Sequence, residues 1–465
     1  MVVNREAVKE RVRYHFFEKE AFSQHVSGPD YDFFVSSALP LLSGTLGGMR
    51  YGTGGKLFPN GGDFPKARDA GNVVTRLHKG MTKKYSGDLI PRRYLEEEGL
   101  LNHEESKRAD FLGAKMVIRD KDPRRAEKVM LRAESYDEEV QALFEKAGAF
   151  VEGLNFPNPS DPRQPNITRF YNTAPDSNTS TVKMTYVRKK TDRVHCLPDG
   201  EPYFGSGDPS IVTATGLVGA IKAIRERHFP AEDFLDIGML GGAGSVGSNA
   251  IRILREYEAS GYLGFKVNLT ASDIPKNHER LGRLSADYGF DIVPEGTEHR
   301  NVHVWSTNGF IGSVKPGKVS ELRERTTIIG AENEQLPENP FDPYDQGVAR
   351  DVNAIYATLK RIEGYYSPDF VNNNGGIHDV NCLVMFGREG YSKERAIQTM
   401  LEAGQAYVGA VYDQTRAVQE GDRRRVVHSH VIAEEMALDA LVDRIIERRD
   451  EVVKGPFAAY FVDVL

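Results

Sequence analysis

The stretch Leu240-Gly241-Gly242-Ala243-Gly244-Ser245-Val246-Gly247 decides the fold, because it sets a glycine-rich turn between the apolar run Phe234–Leu240 and a segment with helical spacing. In a strand, turn and helix of this kind each glycine has its own reason. Gly242 supplies the tight turn, Gly244 lets the backbone approach a pyrophosphate, and Gly247 lets the helix lie close on the strand. The opening residues of the helix, Ser245, Val246 and Gly247, then aim unpaired N–H groups at the phosphates. A second strand, 265–271, leads to Asp273, a carboxylate placed to accept both hydroxyls of an adenosine ribose and to repel a 2′-phosphate. The expected cofactor is therefore NAD rather than NADP. The interval from Gly242 to Asp273 exceeds the usual spacing of roughly 20 residues, which predicts extra turns around 256–264. A structural turn with no ligand is the competing reading of the same glycines.

Working outward, the chain has 465 residues, too many for one typical core, so two domains are expected. Its 60 basic and 67 acidic residues are interspersed, and the formal net charge of −7 provides no field for nucleic acid or an anionic membrane. Cys196 and Cys382 are the only cysteines, which excludes a disulfide framework and a cysteine-built zinc site and fits a reducing compartment. The first ten residues are charged, and no apolar run approaches the roughly 18 residues of a membrane span. A cytoplasmic protein is expected.

Apolar spacing predicts helices over 6–22, 67–81, 126–150, 212–228, 352–362, 393–412 and 428–449, and strands over 39–48 and 114–118. The polar, acid-rich segment 86–111 reads as an insertion. The Gly-, Pro- and Asp-rich stretch 198–209 is the natural linker. These signals imply an α/β protein with a first domain over 1–206 and a Rossmann-like, doubly wound nucleotide domain over 207–420.

Several blocks then resemble the amino-acid dehydrogenase family of glutamate, leucine, phenylalanine and valine enzymes, the leucine type most closely. They are Leu46-Gly47-Gly48-Met49-Arg50, Gly80-Met81-Thr82-Lys83-Lys84, Gly113-Ala114-Lys115-Met116-Val117-Ile118 and Ala174-Pro175-Asp176-Ser177-Asn178-Thr179. They continue as Gly205-Ser206-Gly207-Asp208-Pro209 with Thr213-Ala214, the glycine turn, Gly330-Ala331-Glu332-Asn333-Glu334-Gln335-Leu336, and Pro368-Asp369-Phe370-Val371 through Gly375-Gly376. The resemblance spans most of the chain. It implies an NAD-linked, reversible oxidative deamination of an L-amino acid to its 2-oxo acid and ammonia, a homo-oligomer assembled through the first domain, and C-terminal helices, 421–465, packed back on that domain.

Carried over position by position, the resemblance makes Lys84 the partner of the substrate carboxylate, Lys115 the base that activates water, and Asp176 the proton exchanger for the substrate amine. Asn333 would lie near the amino group and nicotinamide ribose, with Thr213 also at the cofactor. Leu46, Gly47, Ala174, Ile377 and Val380 would surround the substrate side chain. Glutamate enzymes carry a lysine and a hydroxyl where Leu46 and Val380 stand here, because a distal carboxylate must be paired. An apolar wall therefore implies a branched-chain or aromatic substrate.

Plainer roles compete with each assignment. Lys83 is read as a solvated surface group, whereas an ammonium at Lys115, ahead of Met116-Val117-Ile118, is costly to bury without purpose. Asp176 would equally cap a helix starting near Ser177, and Asn333 would equally serve a turn. His378 has no second histidine at metal spacing and is read as structural, and no metal is expected. The insertion and the polar run Asn372-Asn373-Asn374 depart from the leucine type and keep open a polar or unusual amino acid as substrate. A nucleotide-binding relative without turnover is the reading from another class.

Overall fold

The computed structural model describes residues 3–18, 22–37, 45–46, 49–50, 53–60, 67–107, 112–122, 137–156, 167–168, 171–175, 180–198, 205–309, 312–337, 346–453 and 460–465. Two large sheets organise them. The first runs, in spatial order, Phe22–Ser27, Tyr31–Ser37, Leu112–Asp120, Thr53–Asn60 and Tyr171–Pro175. Its first three strands are antiparallel neighbours and its last two pairings are parallel. The unbroken buried run Ala114, Met116, Val117 and Ile118 belongs to a central strand covered on both faces.

The long helix Ala67–Glu97 packs on this sheet, and it overturns two expectations. The helix predicted to stop at residue 81 continues for four more turns, so the segment read as an insertion, 86–111, begins as its unbroken continuation and contains the short helix His103–Ser106. At the start, the predicted helix over 6–22 is an α-helix only across Arg5–Val12, followed by a π-turn at Arg13–Glu18 and the edge strand Phe22–Ser27. The strand expected over 39–48 lies mostly outside the described residues, with the short strand Thr45–Leu46 inside them. Helix Glu138–Glu152 is capped by Asp137, whose Oδ1 accepts from the Glu139 N–H, and it buries Val140, Leu143, Phe144, Ala147 and Val151 along one face.

The second sheet has six strands in the order Asp291–Ile292, Lys266–Ser272, Phe234–Leu240, Val304–Thr307, Thr327–Ile329 and Tyr365–Tyr366. Every pairing is parallel. Numbered along the chain this is the 3-2-1-4-5-6 order of the doubly wound dinucleotide fold, with its topological switch between Phe234–Leu240 and Val304–Thr307. Helix Ser210–His228, buried nearly all round, crosses helix Lys393–Gly421 at a backbone contact: a Cβ on Gly219 would lie 2.3 Å from the Leu401 carbonyl oxygen, and one on Gly404 would lie 2.5 Å from that of Gly216. The chain then returns. Leu438, Leu441, Val442 and Ile445 of helix Ser429–Glu447 join one apolar cluster with Val8, Phe16, Met116 and Phe144, and Arg5 and Arg13 pair with Asp443 and Glu435 above it.

Candidate active site

At the glycine turn, sequence and structure differ in one particular. The residue in the left-handed region is Gly241, at φ 75°, and its N–H and that of Gly242 both donate to the Ser272 carbonyl. Gly242 is needed for space instead: a Cβ there would lie 2.9 Å from the Ala271 Cβ. Gly247 meets its expectation, since a Cβ would sit 2.2 Å from the Gly241 carbonyl oxygen. Helix Ser245–Ala259 starts from Gly244 with no side-chain cap, leaving the N–H groups of Ser245, Val246 and Gly247 directed out of the turn. The long interval to Asp273 is filled by the full helix and a turn with left-handed Gly261 and Gly264.

Asp273 follows strand Lys266–Ser272 and is nearly buried. Its Oδ2 accepts from the Ala243 N–H at 2.8 Å, and its Oδ1 from the Ile274 N–H at 2.8 Å and Asn277 Nδ2 at 2.7 Å. The carboxylate thus ties the second strand to the glycine turn. A carboxylate offers about four acceptor sites, so capacity remains for a sugar hydroxyl. The uncapped helix start, the space kept by Gly247 and this carboxylate together fit a dinucleotide.

Lys84 comes from the long helix and reaches the other sheet. Its Nζ donates to Asn333 Oδ1 at 2.5 Å, and Asn373 Nδ2 donates to the same oxygen at 3.0 Å. Asn333 lies just beyond the carboxyl end of strand Thr327–Ile329, on the edge where ligands bind in such sheets. Lys115 is 3% exposed in strand Leu112–Asp120. It pairs in register with Ser36 on one side and Lys56 on the other, and Lys56 pairs with Ala174. Register partners share a sheet face. Ser36 Oγ contacts His78 Nδ1 at 2.6 Å, so this is the face covered by the helix that carries Lys84.

Ile377 and Val380 are buried on helix Gly375–Gly390, and Ile377 joins Met81, Tyr85 and Val212 in an apolar cluster. Ala174 is half-buried. Thr213 is buried against the start of that helix, where a Cβ on Gly375 would lie 2.4 Å from the Thr213 Cα. Asp176 and Gly47 lie outside the described residues, as does the side chain of Leu46.

Sequence reasoning missed Asn373 and Asp88. Asp88 sits one helical turn after Lys84, fully buried, and accepts from Asn374 Nδ2 at 3.1 Å and Asn381 Nδ2 at 2.5 Å, with His378 Nδ1 at 3.4 Å and Arg92 Nε at 3.2 Å. Burial alone would raise its pKa, but the His378 imidazole and Arg92 guanidinium hold it below the usual carboxylate value. Burial likewise opposes charge on His378, yet Cys382 and Asp88 push it up to about 10. His378 forms half of a buried ion pair with Asp88. Glu332, beside Asn333, is another perturbed acid: burial raises it to about 8, against a Ser313 N–H donating to its Oε1 at 2.9 Å.

A phenylalanine dehydrogenase of Lysinibacillus sphaericus is 26% identical over 343 residues, covering 72% of this chain and 70% of the relative. Among solved structures, L-tryptophan dehydrogenase from Nostoc punctiforme superposes with a TM-score of 0.57 at 19% identity, covering 94% of this chain and 99% of that one. The chain is similar in sequence to phenylalanine dehydrogenases and shares its fold with solved amino-acid dehydrogenases. The glutamate dehydrogenase of Plasmodium falciparum shares the fold at a TM-score of 0.58 and 12% identity, over 96% of this chain and 91% of that one. No family model matches the chain. The two-sheet arrangement is thus a fold that this chain shares with both solved dehydrogenases. Among the described residues no group of His, Cys, Asp and Glu is arranged to hold a metal, and no helix is long and apolar enough to cross a membrane.

Proposed function

We propose that the protein is an NAD-dependent dehydrogenase that reversibly deaminates an apolar L-amino acid, aromatic or branched-chain, to its 2-oxo acid and ammonia. The observation that carries this reading is the 2.5 Å contact between Lys84 and Asn333, which brings a cation from the first sheet's helix to the carboxyl edge of the doubly wound sheet. NAD supplies the hydride acceptor for the substrate Cα. The N–H groups of Ser245, Val246 and Gly247 hold its pyrophosphate, Asp273 its adenosine ribose, and Thr213 and Asn333 line the nicotinamide end.

Lys84 takes the substrate carboxylate, exchanging its bond to Asn333 for a charge-assisted one and leaving the Asn333 amide to orient the amino group. Lys115, on the face beneath, takes a proton from the water that adds at Cα once the iminium has formed. Asp176 returns a proton to the departing nitrogen. Leu46, Gly47, Ala174, Ile377 and Val380 surround the side chain, and the lack of a cation among them favours apolar substrates. The curated relatives, phenylalanine dehydrogenases, support the aromatic end of that range. The catalytic unit comprises residues 1–206 with 421–465, the nucleotide unit residues 207–420, and the active protein is a homo-oligomer. Closing the cleft between the units expels water and strengthens the charge contacts.

The test is direct. Purified protein with NAD at alkaline pH and a panel of aromatic, branched and polar L-amino acids is followed by absorbance of the reduced nicotinamide, with the reverse reaction run on 2-oxo acids and ammonia. Turnover ranking apolar above polar substrates is expected; no turnover in either direction overturns the reading.

A further inference from the structure

The polar run Asn372-Asn373-Asn374 does not serve one purpose. Asn372 closes a turn, with Ser367 Oγ donating to its Oδ1 at 2.7 Å and its Nδ2 donating to the Ser367 carbonyl at 2.9 Å. Asn373 donates to the same Asn333 oxygen as Lys84. Asn374 leads into helix Gly375–Gly390 and reaches back to Asp88.

Residues 374, 378 and 381 recur at helical spacing, so they share one stripe of that helix, and all three contact Asp88. Asp88 in turn stands four residues after Lys84, about 6 Å along the long helix and on the same face. The far side of the clamp is equally fixed. His378 Nε2 lies 2.9 Å from Thr399 Oγ1, whose own hydroxyl donates to the Arg395 carbonyl at 2.8 Å, and Arg92 donates onward to the Ser106 carbonyl at 2.9 Å. The carboxylate is fully buried between Lys84, the carboxylate anchor of the proposed function, and the helix whose Ile377 and Val380 form part of its apolar wall.

We propose that Asp88 is a positioning residue that sets the separation between the substrate's carboxylate anchor, Lys84, and the side-chain wall at Ile377 and Val380, and so selects side-chain length. This rests on the dehydrogenase reading. Asp88 does not touch substrate; it locks two helices whose relative slide would lengthen or shorten the pocket. A packed core has little compensating freedom where buried polar groups are tied to one another across the contact.

Asp88→Asn keeps the volume and removes the charge that collects four donors. Lys84 binds the substrate carboxylate without reacting, so displacing it removes binding shared by ground state and transition state, and the amino-acid KM should rise about tenfold for the best substrate, with kcat changed far less and the KM for NAD unchanged. The preference between phenylalanine and a shorter substrate such as valine should narrow by a similar factor. A loss confined to folded fraction lowers kcat alone and leaves KM and the ranking intact, and that result overturns the inference. Asn381→Ala withdraws one donor without leaving a cation unpaired and should shift KM and ranking the same way, by about threefold; it decides the matter if Asp88→Asn does not fold. A wild-type enzyme silent across the panel overturns the dehydrogenase reading and the inference with it, whereas an active wild type whose variants keep its KM and ranking overturns the inference alone.

Discussion

Glu332→Gln should stabilise the protein at alkaline pH and leave it unchanged in acid. Burial holds the Glu332 carboxyl protonated up to about pH 8, against an ordinary value of 4.5. Between those two values the folded chain keeps a proton that the unfolded chain has lost, so stability falls as pH rises. The slope is ~1.4 kcal/mol per pH unit, and across the window it accumulates to a ceiling of about 5 kcal/mol, which local relaxation reduces to a few. Below pH 4.5 and above pH 8 the contribution is flat. Glutamine keeps an acceptor for the Ser313 N–H, now at 2.9 Å from Glu332 Oε1, and has no charge to bury. Thermal unfolding of wild type and variant across pH 5 to 9 reads the effect: equal midpoints near pH 5, and a variant midpoint several °C higher at pH 8.5, given ~2–4 °C per kcal/mol in domains of 150–250 residues. A difference between the two proteins that does not change with pH would refute the reasoning.

Two further outcomes follow from the site. Gly247→Ala places a Cβ 2.2 Å from the Gly241 carbonyl oxygen, a clash with backbone that cannot swing away; overpacking of about 1–3 kcal/mol is expected, with NAD affinity measured by fluorescence titration reduced at least ~10-fold through distortion of the pyrophosphate turn. Lys84→Met, which keeps the stem and removes the charge, should raise the amino-acid KM by about 10–10²-fold while leaving NAD binding intact, since hydrogen bonds to charged groups are worth ~1.5–3 kcal/mol; an unchanged KM would remove Lys84 from the substrate site.

Much of the nucleotide half was legible because its signals are local. Strand Phe234–Leu240 was bounded correctly by a mostly apolar run ending in glycines, and the helix expected over 212–228 from its apolar spacing starts two residues earlier, at Ser210. The first sheet was less legible for physical reasons. Strand Phe22–Ser27 is an exposed edge with no alternation to detect, and Thr53–Asn60 contains two glycines and a proline. The long helix was cut short at residue 81 because the segment that follows, 86–111, is polar and acid-rich; Gly87 within the helix is there for packing, since a Cβ would meet the Tyr407 hydroxyl at 2.4 Å. The asparagine run looked like a signal for a polar substrate, and its amides are engaged by Ser367, Asn333 and Asp88 instead. Lys84, Lys115 and Asn333 became candidates through resemblance, whereas Asp88 carries no local signature: a carboxylate four residues after a lysine reads as a solvated helix face until its partners arrive from residues 374–381.

The central claim is that Lys115, buried on the face beneath the Lys84 helix, acts on the reacting atoms. Its most direct test is Lys115→Ala, assayed for amino-acid-dependent NAD reduction beside a titration of NAD binding. The account predicts turnover reduced by at least ~10²-fold, the lower end of what a general base contributes, with NAD affinity unaltered. Turnover within a few-fold of wild type would contradict it.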